Sequence, residues 1–239
     1  MSRKYDNKTI SFCPEGRLRQ VEYALESIRN GNSVIGIKTN SGIVLASDKS
    51  ITNTLGESNI YSDRIFLIDS HIFCVTTGAG PDAHILINHA RLQTQLYKQI
   101  YQDLIPVKKL VNVLCDIKQQ FTQSGGKRPY GTSFVLGGWD SFFGFQLFRT
   151  DPSGNYSGWK AIAIGINGIL NQNILNEDAK HCVDIHSAIG IIVKIYYKNI
   201  PKINLSQYID LVTLRRDDLN NIVYHRFNDE EIDSLYMKV

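Results

Sequence analysis

The chain has 239 residues, of which 43% are hydrophobic and 21% are charged, so it is long enough to bury a substantial core. Its 18 glycines and 6 prolines are too few for a collagenous or broadly disordered protein. The 26 basic and 23 acidic residues give a formal charge of +3, which is too small for a dedicated nucleic-acid binder. We therefore expect an ordinary folded protein with no nucleic-acid partner.

Targeting and redox signals both point to the cytosol. Residues 1–8 have basic character, but no apolar stretch follows them before residue 30, so no signal peptide is predicted. No run of 18 apolar residues predicts a membrane span. We expect reduced thiols and no metal site, because the four cysteines are widely spaced and form no metal-binding pair: Cys13, Cys74, Cys115 and Cys182.

A polar arm is predicted to precede the first helix. Residues 1–13 show neither helical nor strand periodicity, and they end at the turn signal Pro14-Glu15-Gly16. In the next segment Tyr23 lies about 140° around a helix from Leu18, so we expect its ring to point away from the apolar face. The apolar face consists of Leu18, Val21, Leu25 and Ile28.

Two apolar hairpins follow this helix. Residues 34–37 and 43–46 flank one turn, and residues 65–68 and 72–75 flank the next. Both arms of the first hairpin are almost continuously apolar, which is typical of strands that are covered on two faces.

A long helix is predicted to begin at Gly78-Ala79-Gly80-Pro81, with Pro81 in its first turn. It carries two apolar stripes on nearly opposite faces, so we expect burial on both sides. The second stripe could meet a neighbouring helix of the same domain or another subunit. The first stripe comprises Ala83, Leu86, Ile87, Ala90, Tyr97 and Tyr101, and the second comprises Ile85, Leu92, Leu96 and Ile100.

The rest of the chain alternates between strand and helix patterns. The predicted order of strands, two helices, strands, two helices and strands favours an α+β fold with helices on the faces of antiparallel sheets. A closing helix is predicted from Asn228, which is followed three residues later by Glu231. The other predicted elements are a helix at 110–121, strands at 132–136 and 143–148 around a turn at 137–140, a strand at 159–164, helices at 169–179 and 184–198, and strands at 209–214 and 222–225.

No segment carries a complete catalytic or phosphate-binding motif. Gly78-Ala79-Gly80 is similar to part of a dinucleotide fingerprint, but it follows a hairpin and lacks the surrounding βαβ unit. The segment at residues 125–128 lacks the Ser/Thr of a phosphate-binding loop. The six histidines include no pair at the i, i+4 spacing of a helical metal site. The motifs therefore predict no cofactor.

Four blocks of sequence resemble the alpha subunits of the 20S proteasome, in the same order and over essentially the whole chain. The longest block is Phe-Cys-Pro-Glu-Gly-Arg-Leu-Arg-Gln-Val-Glu-Tyr-Ala at residues 12–24, and the others lie at 78–83, 125–131 and 151–161. Within that family, residues 2–6, 115–119 and 138–140 are most similar to the alpha type-4 subunits. The resemblance implies a four-layer αββα sandwich of the N-terminal-nucleophile hydrolase fold. It also implies a gate arm and first helix over 1–30 and a single sandwich domain over 31–239.

The resemblance implies a subunit without catalytic activity. In the proteolytic beta subunits of the family, processing exposes an N-terminal threonine that its own amine and a nearby lysine activate. Asn32 stands at the threonine position, Asp48 at the acidic position and Arg64 at the lysine position. Asparagine has no nucleophilic hydroxyl, and arginine keeps its proton. The alternative is a self-contained hydrolase of this fold, in which processing would expose Ser33.

The resemblance also implies a role for the arm in a gate. Tyr5, Asp6, Pro14 and Tyr23 match the residues that the family clusters, within and between subunits, to hold the axial gate open. The arm is polar and Tyr23 faces away from the apolar stripe, which agrees with that role. The alternative is a disordered tail beside a half-exposed aromatic ring.

A second implied site is the pocket between neighbouring alpha subunits where the tails of ATPase regulators dock. Gly31 and Arg64 match its backbone glycine and its basic residue, although the family usually has lysine at the latter position. An ion pair between Arg64 and a local acid such as Asp63 is the structural alternative. The implied partners are other alpha subunits in a seven-membered ring, beta subunits of the adjacent ring and ATPase activators, in the cytoplasm and nucleus. A simpler ring of identical subunits is a further alternative to this hetero-oligomer.

Overall fold

The computed structural model describes residues 11–49, 64–199, 205–217 and 219–236. At its centre are two five-stranded antiparallel sheets. The first sheet contains, in spatial order, β10 (Ile222–Arg226), β9 (Ile209–Arg216), β2 (Gly42–Asp48), β1 (Val34–Lys38) and β8 (Ala161–Ile164). The second contains β3 (Ile65–Asp69), β4 (Ile72–Gly78), β5 (Thr132–Asp140), β6 (Gly144–Thr150) and β7 (Tyr156–Gly158).

Helices cover the outer faces of the two sheets. The second sheet is covered by α2 and α3, and the first is covered by α4 and α5. The first helix, α1, packs against β4 and β5, and α6 closes the described chain. The helices are α1 (Arg19–Arg29), α2 (Gly80–Tyr101), α3 (Val107–Gln123), α4 (Gly168–Asp178), α5 (Ile185–Asn199) and α6 (Asp229–Tyr236), with short 3₁₀ turns at Ala179–His181 and Leu205–Gln207.

Three apolar layers hold these four structural layers together. One lies between the sheets and includes Leu45 and Phe73, which are fully buried. Another lies between the first sheet and its helices, and the third lies between the second sheet and its helices. Burial of both sheet faces explains why the β1 and β2 sequences are almost continuously apolar. The predicted four-layer αββα sandwich is thus confirmed, while the division into residues 1–30 and 31–239 stays a prediction.

The predicted turn at residues 137–140 is wrong, because β5 continues to Asp140. Gly137 and Gly138 pair with residues of both neighbouring strands. A Cβ atom on Gly137 would lie 2.7 Å from a ring carbon of Phe73, and one on Gly138 would lie 2.8 Å from a methyl group of Val107. The two glycines therefore allow close packing inside the sheet rather than a turn.

The strand predicted at residues 159–164 is confirmed as β8, although it begins two residues later, at Ala161. The preceding strand β7 belongs to the second sheet and β8 to the first. The Trp159 N–H still donates to the Leu147 carbonyl of β6 (2.9 Å), whereas the Lys160 carbonyl accepts from the Lys38 N–H of β1 (2.7 Å). The chain thus passes from one sheet to the other at Trp159 and Lys160.

A fully buried lysine lies in the layer under α3. The Lys118 ammonium donates to the Thr132 carbonyl (3.1 Å) and to the Thr150 hydroxyl (2.9 Å). It also lies 4.4 Å from the ring centroid of Phe134. Burial lowers the pKa of Lys118 to about 7, because the charged form loses its hydration.

The predicted cap of the closing helix is confirmed. The Asn228 N–H donates to the Glu231 carboxylate (2.8 Å), and the Asn228 carbonyl accepts from the Ile232 N–H (3.0 Å).

Candidate functional site

Three of the predicted site residues meet where β1 begins and β2 ends. The register places Val34 opposite Ser47, which brings Ser33 beside Asp48. The Ser33 N–H donates to the Asp48 carboxyl oxygen Oδ2, and the Asp48 N–H donates to the Ser33 carbonyl, both at 3.1 Å. The Asn32 amide group donates to the Asp48 carbonyl (3.0 Å). Asn32, Ser33 and Asp48 therefore form one hydrogen-bonded unit.

Ser33 is enclosed by polar side chains from α4 and α5. Its hydroxyl oxygen accepts from the Asn171 amide (3.3 Å), and its carbonyl accepts from the Tyr196 hydroxyl (3.1 Å). Asn199 in turn donates to the Asn171 amide oxygen (2.9 Å). An amide donor cannot remove the Ser33 hydroxyl proton, so this contact does not activate a nucleophile. Ser33 is only 4% exposed.

The carboxyl group of Asp48 has an elevated pKa. Burial raises the pKa of Asp48 to about 6, although the hydrogen bond from the Ser33 N–H acts in the opposite direction. The oxygen Oδ1 of Asp48 is buried and has no hydrogen-bond partner among the described residues. The carboxyl is thus partly protonated in mildly acidic solution.

Arg64, which directly precedes β3, reaches the same region beside the end of β4. Its guanidinium donates to the Gly78 carbonyl (3.2 Å), and burial lowers its pKa. A guanidinium nevertheless stays protonated at physiological pH. The neighbouring Thr77 hydroxyl donates to the Asn32 carbonyl (2.8 Å). Asn32 and Arg64 therefore contact consecutive residues at the end of β4.

Gly31 lies against the same stretch of β4. A Cβ atom at this position would lie 2.6 Å from the Thr77 hydroxyl oxygen and 2.8 Å from the Gly78 nitrogen, so only glycine fits without movement. The Gly31 carbonyl accepts from the Ile166 N–H (2.9 Å). Gly31 thus lies against the Gly78 nitrogen, and Arg64 donates to the Gly78 carbonyl. These are the two residues of the predicted tail pocket.

An ion pair fixes the loop that follows α3. The Asp82 carboxylate accepts from both terminal nitrogens of Arg128 (2.6 and 2.8 Å) and from the Gly131 N–H (2.9 Å). The Arg128 guanidinium lowers the pKa of Asp82. These contacts hold the start of β5 against the first turn of α2. The Ala79 N–H also donates to the Gly131 carbonyl (2.8 Å).

The first helix leaves its predicted aromatic residue in solvent. Val21 and Ile28 are buried, whereas Tyr23 is 50% exposed, which confirms that its ring faces away from the core. Pro14 is exposed as well. Tyr5 and Asp6 lie outside the described residues, so the gate cluster of Tyr5, Asp6, Pro14 and Tyr23 stays a prediction.

The two stripes of α2 have different environments in this chain. Ala83, Leu86, Ile87 and Ala90 of the first stripe are buried against the second sheet and α3. The second stripe is open to solvent, so no neighbouring helix of the same domain covers it among the described residues. Its exposed fractions are 58% for Ile85, 54% for Leu92, 39% for Leu96 and 69% for Ile100. A subunit interface at this stripe stays a prediction.

Several polar partners at this site had no signal in the sequence. Asn171 and Tyr196 contact Ser33 from 138 and 163 residues further along the chain, and Asn199 contacts Asn171. Their positions within helical patterns identify a buried face but not a polar partner. Only the packing of α4 and α5 over β1 brings these groups to Ser33.

Other kinds of site are not apparent in the described structure. All four cysteines are free thiols. Among the residues that the structure describes, no group of three or more His, Cys, Asp or Glu side chains could hold a metal ion. No helix in these ranges is sufficiently long and apolar to cross a lipid bilayer.

Comparisons with known proteins identify the family. The model of the family Proteasome, described as proteasome subunit, matches residues 28–207. Proteasome subunit alpha type-4-A of Arabidopsis thaliana is 43% identical over 239 residues, which cover 100% of this chain and 96% of the relative. The alpha type-4 subunit of Petunia hybrida is 43% identical over 240 residues, with the same coverage. Alpha type-4-1 of Oryza sativa subsp. indica is 45% identical over 206 residues, which cover 86% of this chain and 82% of that protein. The chain therefore belongs to the proteasome subunit family, and its predicted similarity to alpha type-4 subunits is confirmed.

Proposed function

We propose that the chain is a non-catalytic alpha-ring subunit of the 20S proteasome core particle, which acts in ubiquitin-dependent protein degradation. The proposal rests on Asn32, which the motif resemblance assigns to the position of the catalytic threonine and whose amide group donates to the Asp48 carbonyl (3.0 Å). An amide side chain supplies no nucleophile. Arg64 at the lysine position keeps its proton and cannot act as a base. Proteolysis then belongs to other subunits of the particle.

The buried environment of Ser33 argues against the alternative of a self-contained hydrolase. Processing before Ser33 would break the chain between Asn32 and Ser33, where both residues hydrogen bond to Asp48. It would also remove α1, whose Val21 and Ile28 are buried against the sandwich. Loss of these contacts would expose apolar surface on β4 and β5.

The outer stripe of α2 supports a role in assembly. Four large apolar side chains along one face of a solvent-exposed helix are typical of a protein interface. We assign this face, which comprises Ile85, Leu92, Leu96 and Ile100, to contacts with other subunits of the particle. The proposed partners are alpha subunits of the same seven-membered ring and beta subunits of the adjacent ring.

The region around Gly31 and Arg64 supports docking of activators. Arg64 places a cation beside the backbone of Gly78, and a guanidinium can bind the C-terminal carboxylate of a regulator tail through two hydrogen bonds. Gly31 lies against the Gly78 nitrogen at the same place, so both residues of the proposed pocket meet at Gly78. The proposed ligand is therefore the tail of an ATPase activator.

The exposed ring of Tyr23 supports a role in the entry gate. Tyr23 and Pro14 both face solvent, where residues of a neighbouring subunit can reach them. In the proposed open state they cluster with Tyr5 and Asp6 of the arm.

A particle that serves ubiquitin-dependent degradation is expected in the cytoplasm and the nucleus.

Native mass spectrometry of the protein purified from its own cells tests the proposed function. We expect the chain inside a large complex with other, distinct subunits, and the released chain should have an intact mass that includes residues 1–32. A free monomer, or a chain that begins at Ser33, would overturn the proposal. A ring that contains only copies of this chain would contradict the proposed hetero-oligomer.

A further inference from the structure

The helix layer that covers the second sheet carries the net positive charge of the chain. Residues 80–128, which contain α2 and α3, include seven basic and three acidic residues. Residues 168–199, which contain α4 and α5 on the opposite side of the molecule, include three of each. Since the whole chain has only 26 basic and 23 acidic residues, the part outside α2 and α3 is close to neutral.

Part of this charge is neutralised or buried inside the layer. The buried Asp82 carboxylate binds both terminal nitrogens of Arg128, and Lys118 is fully buried. The other five cations of the layer are exposed, and they form no ion pair within the described residues. These five are Arg91, Lys98, Lys108, Lys109 and Lys127.

The contacts of these cations leave their charge uncompensated. The Arg91 guanidinium donates twice to the Leu67 carbonyl, at 3.2 and 2.9 Å. The Lys109 ammonium lies 4.8 Å from the ring centroid of Tyr97. A carbonyl group or an aromatic ring attracts a cation but carries no net charge of its own. The layer therefore keeps its positive charge at the surface.

Fewer carboxylates lie on the same surface. Asp103, in the loop after α2, and Asp116, on α3, are exposed. Asp69 ends β3, the strand that packs beside α2. The five exposed cations thus face three carboxylates. His84 and His89 of α2 also titrate, and their protonation would only add positive charge.

The cations lie around the outer apolar stripe of α2 rather than within it. At about 100° per residue, Arg91 and Lys98 lie more than 100° around the helix from Leu96, on the flank beside β3. A helix is only about 10 Å wide, and the Debye length at physiological salt is about 8 Å, so these charges still act on a partner that covers the stripe. The stripe comprises Ile85, Leu92, Leu96 and Ile100, and its direct neighbours are the uncharged amides Asn88, Gln93 and Gln99.

An apolar centre with charges at its periphery is the usual arrangement of a protein interface. A nucleic acid would bind the cations through its phosphates and would not need four large aliphatic side chains. We propose that the face formed by α2 and α3 docks on a protein surface that is apolar at its centre and acidic at its rim. This inference rests on the proposed assignment of the outer stripe to subunit contacts, and it adds the charge that the partner subunit must carry. Opposite potentials speed the encounter and exclude partners of the same sign.

Competition for incorporation into the particle tests this inference. Equal amounts of the unmodified chain and of a variant are added to the other subunits, and native mass spectrometry of the reconstituted particle gives their ratio. Lys98→Glu/Lys108→Glu reverses two exposed charges outside the stripe. We expect this double variant to be incorporated about tenfold less than the unmodified chain at 50 mM salt, and less than about twofold less at 500 mM salt, where the charges are screened.

Lys180→Glu/Lys198→Glu is the matched control, because it reverses two exposed charges on the neutral layer of α4 and α5. We expect it to be incorporated like the unmodified chain, and circular dichroism checks that both double variants are folded. Equal incorporation of the two double variants, or a loss that is the same at both salt concentrations, would overturn the inference.

Two further outcomes separate this inference from the proposed function. Normal incorporation of Leu96→Asp would remove the stripe contact itself, and the charge of its partner with it. If Leu96→Asp is excluded while Lys98→Glu/Lys108→Glu competes normally, the stripe contact stands and only the acidic partner is wrong. Binding of the purified chain to duplex DNA at 150 mM salt, weakened by Lys98→Glu/Lys108→Glu, would assign the surface to a nucleic acid and would also overturn the inference.

Discussion

The Ser33 N–H donates to one carboxyl oxygen of Asp48 at 3.1 Å, while the other oxygen of that carboxyl is buried without a hydrogen-bond partner among the described residues. The carboxyl therefore receives only part of the stabilisation that its charged form needs. Burial then dominates and raises the pKa of Asp48 to about 6.

Because the pKa of Asp48 is raised in the folded chain, we expect the free energy of unfolding to fall as the pH rises. Between pH 3.8 and about 6 the folded chain binds a proton at Asp48 that the unfolded chain has lost, so this group lowers the free energy of unfolding as the pH increases through that window. The full effect, present above pH 6, is roughly 3 kcal/mol. Asp48→Asn should remove this pH dependence in urea unfolding of the purified chain between pH 4 and 7. Glu177→Gln, at an exposed carboxylate, is the control, and an identical profile for Asp48→Asn and the unmodified chain would contradict the prediction.

Because the pKa of Lys118 is lowered in the folded chain, we expect the free energy of unfolding to rise with pH in a higher range. Its folded pKa of about 7 lies below the ordinary value of 10.5, so between these limits the unfolded chain binds a proton that the folded chain does not. The free energy of unfolding should therefore rise with pH from 7 to 10, and the penalty of the buried charge is fully present below pH 7. Lys118→Met should flatten this rise in urea unfolding. Lys108→Met, on the exposed face of the same helix, should retain it.

Gly31→Ala should destabilise the fold by about 1 to 3 kcal/mol, because the added Cβ would lie 2.6 Å from the Thr77 hydroxyl oxygen and 2.8 Å from the Gly78 nitrogen. Thermal unfolding of the purified chain measures this change. Gly190→Ala is the matched control, since a Cβ there meets no atom within 4 Å and the residue lies inside α5. That variant should gain up to about 1 kcal/mol, and a loss of stability at both sites would refute the steric explanation.

Tyr23→Ala tests the proposed gate. If the exposed ring helps to hold the open state, the variant should lower activator-stimulated peptide hydrolysis in particles that remain assembled. Tyr23 is half-exposed in the chain, so its loss should leave the free energy of unfolding within about 0.5 kcal/mol. Unchanged stimulation in intact particles would exclude this role for Tyr23.

Leu96→Asp tests the outer stripe of α2. Leu96 is 39% exposed in the chain, so the variant should fold, but it should block assembly because the interface would enclose an unpaired charge. Native mass spectrometry of the reconstituted particle measures the incorporation of the chain. Gln95→Asp, at an exposed position of the same helix about 100° from Leu96, is the control and should assemble. Normal incorporation of Leu96→Asp would show that Leu96 does not lie in a subunit interface.

Local sequence patterns were sufficient for most of the helices and strands. Apolar alternation and helical periodicity depend on neighbours within a few residues, so α2, α3 and the first two hairpins were predicted close to their observed bounds. The exposure of Tyr23 followed from the same periodicity. The family motifs added the four-layer arrangement, whereas the assignment of Asn32 and Arg64 to the catalytic positions stays a prediction.

Tertiary packing decided what local patterns could not. Gly137 and Gly138 have the composition of a turn, yet they lie inside β5 because Phe73 and Val107 occupy the space of their missing side chains. The crossing between sheets at Trp159 and Lys160 depends on the strands that each residue meets.

The surroundings of Ser33 depend on packing in the same way. The contacts of Ser33 with Asn171 and Tyr196 join residues 138 and 163 positions apart. Such contacts form only after the helices close over the sheet, since no periodicity within a segment specifies a hydrogen-bond partner in another one. The sequence therefore determines which elements form, and the packed structure determines the burial that sets the pKa of Asp48 and Lys118.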